Sequence, residues 1–250
     1  MVDLVHDLND QQKKAVTYGA GPLLILAGAG SGKTRVLVYR VAYLISKSVD
    51  PDEILLVTFT NKAAGEMRGR VEKLLGNVSP STHSVRSGQG TAVPWAGTFH
   101  SFCAKVLRAD GQTIGISRGY LIYDESDQLE AIKEVLKKLN ISPRETKPHS
   151  IAWAISGAKN ELLSPLEYGQ YARGYFQEIV TRVYVEYQKL LKEMDALDFD
   201  DLIMETVRLW QKEPTVWDKY REKYKYVLVD EYQDTNRAQY QLTKMLASKW

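Results

Sequence analysis

Apolar residues in the first part of the chain occur either in short continuous runs or at helical spacing. The runs at residues 23–27 and 54–59 predict buried strands, and a weaker third run ends at residues 97–99. Helical spacing follows each run, and it predicts helices just after the first run, over 62–75 and over 100–108. Strands that alternate with helices predict an α/β fold with a parallel, doubly wound sheet.

The pattern changes in the middle of the chain. Residues 124–213 show helical spacing and predict no strand. Asp124 is a suitable N-cap for a helix that extends to Leu139, and residues 165–197 predict one or two long helices. A strand returns only at residues 226–230.

This order of elements predicts an all-helical subdomain inserted into an α/β domain. We place the helical subdomain at residues 108–195. The α/β domain is then discontinuous and consists of residues 1–107 and 196–250, with the sheet resuming after the insertion.

The composition is ordinary for a soluble globular protein, with 44% hydrophobic and 26% charged residues. Lys and Arg number 33 against 31 for Asp and Glu, and this balance neither demands nor excludes a nucleic-acid partner. The single Cys103 cannot form an internal disulfide, and no Cys/His cluster has zinc-site spacing. The chain shows neither a secretion signal nor an apolar run long enough for a membrane, so we expect a cytoplasmic protein.

A segment rich in Ser, Thr, Gly and Pro lies at residues 77–96. Such composition predicts a surface loop. His83 and Arg86 in this loop could contact DNA, although solvated loop residues are the favoured interpretation.

A glycine-rich loop with the P-loop pattern follows the first predicted strand. It consists of Ala27, Gly28, Ala29, Gly30, Ser31, Gly32, Lys33 and Thr34, with Ala at a first position where Gly is commoner. The glycines let backbone N–H groups face a phosphate chain, and the following helix adds its N-terminal dipole. Lys33 would reach the β- and γ-phosphates of ATP, and the Thr34 hydroxyl would coordinate Mg²⁺. A glycine-rich turn with a solvated lysine is the weaker alternative.

The strand predicted at residues 226–230 ends in two carboxylates, Asp230 and Glu231. Parallel strands share one C-terminal edge, so Asp230 is expected near the phosphate loop, where it can bind the Mg²⁺ held by Thr34. Glu231 is the candidate general base that orients and deprotonates the attacking water. An acidic turn is the alternative when the pair is seen alone. With Lys33, these two residues are the predicted catalytic set.

Further segments occur in a fixed order along the chain. They are TFTNKAAGEM at residues 58–67, GTFHSF at 97–102, LDFDDL at 197–202 and DEYQDTN at 230–236. With the phosphate loop ahead of them, they resemble superfamily 1A helicases of the UvrD/Rep/PcrA type. The resemblance runs from about Leu8 to the end of the chain, and the combination is far more specific than the phosphate loop alone.

The resemblance implies a RecA-like core domain of the P-loop class with a helical accessory subdomain. Gln12 matches the glutamine that reads adenine, although by itself it belongs to a helix start that Asn9 caps. Arg35 matches a residue that lies against the base. The implied ligands are ATP and Mg²⁺, and the ATP-binding set is Gln12, residues 27–34 and Arg35.

The resemblance also implies binding of single-stranded DNA and of duplex-junction DNA, with movement in the 3′-to-5′ direction. The implied DNA-binding residues are Thr58, Phe59, Thr60, Asn61, Thr98, His100 and Ser101. Their position after strands and at helix starts suits phosphate binding, and Phe59 offers a ring for stacking. For Phe99, core packing and DNA contact stay equally open. For residues 198–201, helix capping and a solvated acidic face at the subdomain junction are favoured.

Family members continue beyond the DEYQDTN segment into a strand with a glutamine that senses the γ-phosphate, and then into a second core domain whose arginines complete the site. This chain ends at Trp250. We therefore expect the ATP-binding portion of a helicase whose hydrolysis and unwinding need that second core domain. The alternatives are the helicase part of a RecB/AddA-like nuclease–helicase and a non-hydrolysing module that binds ATP and single-stranded DNA. An unrelated P-loop kinase would not explain the DNA-motif set.

Overall fold

A computed structural model of the protein describes residues 6–28, 30–76, 93–142 and 146–250. The chain divides into two compact units. Unit 1 comprises Met1–Phe99, Asp218–Asp234 and Thr243–Trp250, and unit 2 comprises His100–Trp217 and Thr235–Leu242. The bounds of unit 2 differ from those predicted for the helical subdomain, residues 108–195. The assignment of residues 108–195 to a separate subdomain remains a prediction. The predictions made for Ala29, His83 and Arg86 fall outside the described residues.

The helices and strands follow one another along the chain as α1 Asp10–Val16, α2 Lys33–Ser46, β1 Ile54–Thr58, α3 Asn61–Gly76, β2 Trp95–Thr98, α4 Phe99–Asp110, β3 Leu121–Tyr123, α5 Glu125–Lys138, α6 Pro148–Asn160, α7 Pro165–Tyr171, α8 Tyr175–Glu193, β4 Ala196–Asp198, α9 Phe199–Lys212, α10 Pro214–Lys223, β5 Tyr226–Val229 and α11 Arg237–Ala247. Short 3₁₀ turns lie at Pro51–Glu53, Gly111–Ile114 and Tyr232–Asp234. None of the helices in the described part of the chain combines the length and apolar composition needed to cross a bilayer.

Unit 1 contains a three-stranded sheet in the order β2-β1-β5, in which β1 pairs in parallel with both neighbours. Every residue of β1 is buried, because strands flank it on both sides and helices cover its faces. The core joins α2, α3 and β1 through buried side chains that include Val41, Ile45, Leu56, Met67 and Val71. The α/β class, the parallel sheet and the strands predicted at 54–59, 97–99 and 226–230 are confirmed.

The prediction of a buried strand at residues 23–27 is wrong. This segment forms no strand, and Leu24 and Leu26 are 66% and 87% exposed. An apolar run becomes a strand only where its backbone N–H and C=O groups meet a partner strand. The sheet consists of β2, β1 and β5 alone, and no described strand pairs with the run.

Unit 2 is built mainly from helices whose apolar faces form one core. Its buried residues come largely from α5, α6 and α8, including Ile132, Leu136, Ile155, Val183 and Tyr187. The predicted cap at Asp124 is confirmed, since its side chain accepts from Asp127 N and the Asp127 side chain accepts from Asp124 N.

The prediction that residues 124–213 contain no strand is wrong, because β4 lies within that range and pairs in parallel with β3. The two strands join Leu121 to Ala196 and Tyr123 to Asp198 as register partners. Three residues between two helices are too few to give a period-two pattern, so the sequence carries no signal for this pairing.

Candidate functional site

The phosphate loop of unit 1 forms a compact turn ahead of α2. The Ser31 hydroxyl donates to the carbonyl of Gly28 at 2.6 Å, and Ser31 N donates to the same oxygen at 3.3 Å. Gly32 is the N-cap of α2 and has a φ of 89°, in the left-handed region that glycine tolerates. A Cβ at Gly32 would lie 3.0 Å from Nε2 of Gln12, so a side chain at this position would displace the Gln12 amide.

The N-terminus of α2 has the features of an anion site. Gly32 supplies no side-chain cap, and the first helical turn carries no acidic residue. The first backbone N–H groups of a helix have no intrahelical acceptor and carry the positive end of the dipole. Lys33 and Thr34 occupy the first two positions of this helix, so a phosphate bound there would meet backbone donors and an ammonium group together.

Residues at the end of β5 meet this helix start. Nζ of Lys33 lies 3.5 Å from Oε2 of Glu231, and the Thr34 side chain lies beside the carboxylate of Asp230. Asp230 N continues the ladder by donating to Val57 O at 3.0 Å. Burial, followed by the charge of Glu231, raises the pKa of Asp230 above its usual range. The structure thus brings the three predicted catalytic residues and Thr34 into one cluster.

Glu231 is held in an uncommon conformation. Its φ is 51°, which is in the left-handed region that non-glycine residues seldom adopt. Nε2 of Gln233 donates to its carboxylate at 2.5 Å. This bond, followed by the charge of Lys33, holds the pKa of Glu231 below its usual range. The carboxylate is therefore ionised at neutral pH, the form that can accept a proton from water.

Gln233 is not among the site residues predicted from the sequence, although it contacts Glu231. The signal available was the position of an amide two residues beyond the carboxylate within the DEYQDTN segment. Only the backbone turn at Tyr232–Asp234, in which Asp234 N donates to Glu231 O, brings that amide back onto Glu231.

Gln12 contacts the phosphate loop, whereas Arg35, which follows the loop directly in sequence, contacts Asp7 and Tyr39. Asn9 and Gln12 form a capping box at the start of α1, and Nε2 of Gln12 donates to Ser31 O at 3.1 Å. Nη2 of Arg35 donates to Asp7 O at 2.9 Å, and its guanidinium lies 5.3 Å from the centroid of the Tyr39 ring. The helix-cap interpretation of Gln12 is correct, and its free end reaches the loop.

The residues at this cluster fit a magnesium ion. Mg²⁺ in phosphate-transfer sites is held by one or two protein oxygens together with phosphates and water. The hydroxyl of Thr34 and the carboxylate of Asp230 are hard oxygen ligands that lie beside one another. Within the described ranges, this cluster included, no group of three or more His, Cys, Asp or Glu side chains is placed to hold a metal ion.

The two strand ends predicted to bind DNA are neighbours in the sheet of unit 1. Thr58 of β1 and Thr98 of β2 are register partners, and both are buried. The Thr58 hydroxyl donates to Thr60 O at 2.9 Å, and Thr60 Oγ1 accepts from Ala63 N at the start of α3. Thr60 and Asn61 are exposed at this helix start.

Phe59 and Phe99 form an edge-to-face pair with ring centroids 5.7 Å apart. Phe99 is buried and Phe59 is half-buried. Core packing thus accounts for Phe99, while Phe59 keeps part of its ring accessible.

The remaining predicted DNA residues, His100 and Ser101, lie in unit 2 at the start of α4. Ser101 is exposed. The His100 ring packs edge-on against Phe199 at 5.6 Å, and burial lowers the pKa of its imidazole. His100 is therefore neutral at physiological pH and would bind DNA by hydrogen bonding or stacking.

The acidic segment at residues 198–201 is only partly as predicted. Asp198 caps α9 in a capping box with Asp201, which confirms the capping role. The solvated acidic face is wrong for these two side chains, since both are buried against Lys159 at 2.6 and 2.8 Å. The sequence holds no signal for the partner, because Lys159 lies near the end of an otherwise ordinary amphipathic helix.

Comparison with known proteins assigns the chain to a family. The model of the UvrD/REP helicase N-terminal domain matches residues 8–250, so the chain belongs to this family. It is 49% identical over 248 residues to the ATP-dependent DNA helicase PcrA of Bacillus subtilis, and 48% and 47% identical to the proteins of the same name from Staphylococcus aureus and Staphylococcus epidermidis. These matches cover 99% of this chain and 32% of each relative, so the chain spans about a third of their length.

Proposed function

We propose that the chain is the ATP-binding portion of an ATP-dependent 3′-to-5′ DNA helicase that also binds single-stranded DNA. The observation that carries the proposal is the meeting of Lys33 and Thr34 with Asp230 and Glu231. Membership of the UvrD/REP family and the names of the PcrA relatives support it. In this proposal the α/β unit is a P-loop, RecA-like core, and residues 108–195 form its helical accessory subdomain.

ATP would bind along the loop from Ala27 to Thr34, including Ala29. Lys33 places its charge on the β- and γ-phosphates, and the uncapped start of α2 adds backbone donors. Gln12, fixed by its capping box beside Ser31, reads the adenine edge, and Arg35 lies against the base. Mg²⁺, held by Thr34 and Asp230, would supply positive charge to the β- and γ-phosphate oxygens.

Glu231 would act in the hydrolytic step. Its lowered pKa keeps it ionised, so it can orient a water molecule and accept a proton from it. Lys33 and Gln233 both contact Oε2 of Glu231, so Oε1 would be the oxygen that faces the water. When a γ-phosphate engages Lys33, the bond from Gln233 would still hold Oε2 in place.

DNA would bind at the carboxyl ends of β1 and β2 and at the helix starts that follow them. Thr60, Asn61 and Ser101 are exposed there and suit phosphate contacts. Phe59 offers a partly accessible ring for base stacking. Thr58 and Thr98 would contribute DNA contacts from the buried strand ends. Neutral His100 would add a ring that can hydrogen-bond to DNA.

The relatives are about three times as long as this chain. By the family resemblance, a second core domain supplies arginines to the γ-phosphate, and such an arginine is worth ~10³–10⁵ in rate. We therefore expect the purified 250-residue chain to bind Mg-ATP and oligothymidylate, to hydrolyse ATP very slowly, and not to unwind duplexes. Calorimetry, fluorescence anisotropy and a strand-separation assay test this. Robust DNA-stimulated hydrolysis that Lys33→Ala abolishes would contradict it.

Two alternatives remain testable beside this proposal. In the first, the chain belongs to a nuclease–helicase of the RecB/AddA kind; the PcrA names of its relatives favour the simple helicase. In the second, it is a binding module without turnover in any context. Hydrolysis by the complete protein, sensitive to Glu231→Gln, would exclude the second.

A further inference from the structure

Arg40, on α2, binds the backbone at the end of α1. Its Nη1 donates to Val16 O at 2.8 Å and also to Tyr18 O, and its Nη2 donates to Gly19 O at 3.0 Å. The last C=O groups of a helix have no intrahelical donor and carry the negative end of its dipole, so a guanidinium suits this position. All four residues belong to unit 1.

Two further contacts hold α1 against α2. Nη2 of Arg35 donates to Asp7 O, ahead of the α1 N-cap, at 2.9 Å. Between the contacts of the two arginines, Leu8 and Val16 pack with Val36 in a small buried cluster. A helix of seven residues is too short to be stable by itself, so α1 depends on its contacts with α2.

Gln12 is the side chain through which α1 contacts the phosphate loop. Its Oε1 accepts from Asn9 N at 3.2 Å, and its Nε2 donates to Ser31 O at 3.1 Å. A Cβ at Gly32 would lie 3.0 Å from this Nε2, so the amide also lies close to the loop backbone. A shift of α1 along α2 would therefore move the Gln12 amide relative to the loop.

We propose that Arg40 is a positioning residue for base selection, which holds α1 on α2 so that Gln12 meets the edge of the adenine base. The inference rests on the proposed function, in which Gln12 reads that edge. Arg40 is seven residues beyond Lys33, about 10 Å along the axis of α2. It acts through α1 and does not touch the phosphates that bind at Lys33. Its loss therefore changes base selection while the affinity for a bare polyphosphate stays the same.

Isothermal titration calorimetry of the 250-residue chain with Mg-ATP, Mg-GTP and magnesium tripolyphosphate tests this inference. The quantity measured is the Kd for GTP divided by the Kd for ATP, and tripolyphosphate reports on the phosphate loop alone. Arg40→Ala removes the guanidinium. Arg68→Ala is the matched control, because Nη2 of Arg68 also donates to a backbone carbonyl of unit 1, Ala96 O, at 2.8 Å.

The wild-type chain should bind ATP more tightly than GTP. Arg40→Ala should lower the ratio of the two Kd values about threefold or more and leave the Kd for tripolyphosphate within about twofold of wild type, whereas Arg68→Ala should change neither. Adding Arg40→Ala to Gln12→Ala should lower the ratio no further than Gln12→Ala alone, because both substitutions act on the same amide.

Arg40→Lys keeps the charge and the apolar stem but loses the forked pair of donors. Its ratio should lie between those of wild type and Arg40→Ala, and it replaces Arg40→Ala in the test if thermal melting shows that the alanine variant is unfolded. A wild-type ratio in both variants, or an equal loss of ATP and tripolyphosphate affinity, would overturn the inference.

The wild-type chain by itself tests the proposed function. If it binds neither Mg-ATP nor tripolyphosphate, the proposed function is refuted. If it binds ATP and GTP equally, Gln12 does not read adenine, and the role of Arg40 in base selection is refuted with it.

Hydrogen exchange of the unliganded chain tests the docking of α1 independently of any nucleotide. Lys13 N donates to Asn9 O and Thr17 N donates to Lys13 O, so both amides report on α1. Loss of a hydrogen bond to a charged group changes a local opening equilibrium by about 10-fold or more, and Arg40→Ala should speed exchange at these amides by about that factor. Unchanged exchange in α1, or equal acceleration in α3, would overturn the positioning role.

Discussion

Nζ of Lys33 lies 3.5 Å from Oε2 of Glu231. The two side chains come from the phosphate loop and from the far end of the chain, and the parallel sheet brings them together because α2 starts at the edge where β5 ends. Both groups are partly exposed, with 30% and 42% of their side-chain surface accessible. The pair is therefore a modest ion pair that a polyphosphate can displace, rather than a structural bridge.

Lys33→Ala should remove most of the affinity for Mg-ATP, because in the proposed function it deletes the ammonium that meets the β- and γ-phosphates. Glu231→Gln should leave binding nearly intact, since the proposed role of the carboxylate is to act on water in the chemical step. Isothermal titration calorimetry of both variants checks this. Lys47→Ala is the control, since it removes an exposed lysine at the other end of α2. Equal losses of affinity in the Lys33 and Glu231 variants would refute the two roles.

Gln12→Ala should weaken discrimination between ATP and GTP. The amide of Gln12 is held beside Ser31 by the capping box, and in the proposed function it reads the edge of the adenine base. Loss of a hydrogen-bonding group that reads a base is worth about tenfold or more in selectivity. Competition binding with both nucleotides measures the ratio of their Kd values. Gln11→Ala, at the exposed neighbouring amide, should leave that ratio unchanged.

The parts of the fold that could be predicted are those with a local signal. Residues of β1 and β5 are short apolar runs that meet partners, and the caps at Asp124 and Asp198 follow from side chains at fixed spacing. Residues 23–27 carry the same apolar signal and form no strand, because the signal does not reveal whether a sheet edge is open.

The candidate site likewise contains residues that the sequence reveals and contacts that it does not. The phosphate loop and the two carboxylates are motifs whose residue types are dictated by phosphate chemistry, so they are visible in the sequence. The contacts of Gln233 with Glu231 and of Lys159 with Asp198 depend on a backbone turn and on helix packing. Such long-range partners leave no local pattern, and only the structure supplies them.

Lys159→Met should strongly destabilise the protein. The ammonium is fully buried between Asp198 and Asp201, and removing it leaves two buried carboxylates without the positive charge that balances them. Breaking a buried pair in this way costs ~3–5 kcal/mol in the free energy of unfolding. Urea denaturation measures the loss. The exposed Lys133, paired with Glu130, is the control, and Lys133→Met should cost at most ~1 kcal/mol.

A triple variant separates lost charge balance from lost packing. Adding Asp198→Asn and Asp201→Asn to Lys159→Met removes the unpaired charges and should restore part of the stability. If the triple variant is no more stable than Lys159→Met alone, the ion cluster does not explain the loss.

Asp201→Asn should change how stability depends on pH. Burial, followed by the charge of Asp198, raises the pKa of Asp201 from 3.8 to about 7, while Lys159 opposes the shift. The folded protein therefore binds this proton more tightly than the unfolded chain does, and the contribution of Asp201 to stability falls as pH rises from about 4 to about 7.

Asp201→Asn has no carboxyl group to titrate at this position. The melting temperature of the variant minus that of wild type should therefore increase between about pH 5 and about pH 7.5. Thermal melts of both proteins across this range measure the difference. Asp52→Asn, at an exposed aspartate of unit 1, should follow the wild-type curve. A difference between Asp201→Asn and wild type that stays constant with pH would contradict the raised pKa.

Phe59→Ala should weaken binding of single-stranded DNA without unfolding the protein. Phe59 and Phe99 form one ring pair, but only Phe59 keeps part of its surface accessible to a base. Stacking of a base on an aromatic ring is worth ~1–3 kcal/mol, so the Kd for oligothymidylate should rise about 5- to 150-fold. Phe176→Ala, at an exposed phenylalanine of unit 2, is the control and should leave the Kd unchanged.

The salt dependence of binding distinguishes stacking from phosphate contact. Phe59 carries no charge, so the slope of log K against log salt should be the same in Phe59→Ala and wild type, although the affinity differs. Phe99→Ala should behave differently, because Phe99 is buried and its truncation costs ~3–5 kcal/mol of folding stability. A Phe59→Ala protein that binds DNA as tightly as wild type would remove this ring from the DNA site, and the pair with Phe99 would then be core packing alone.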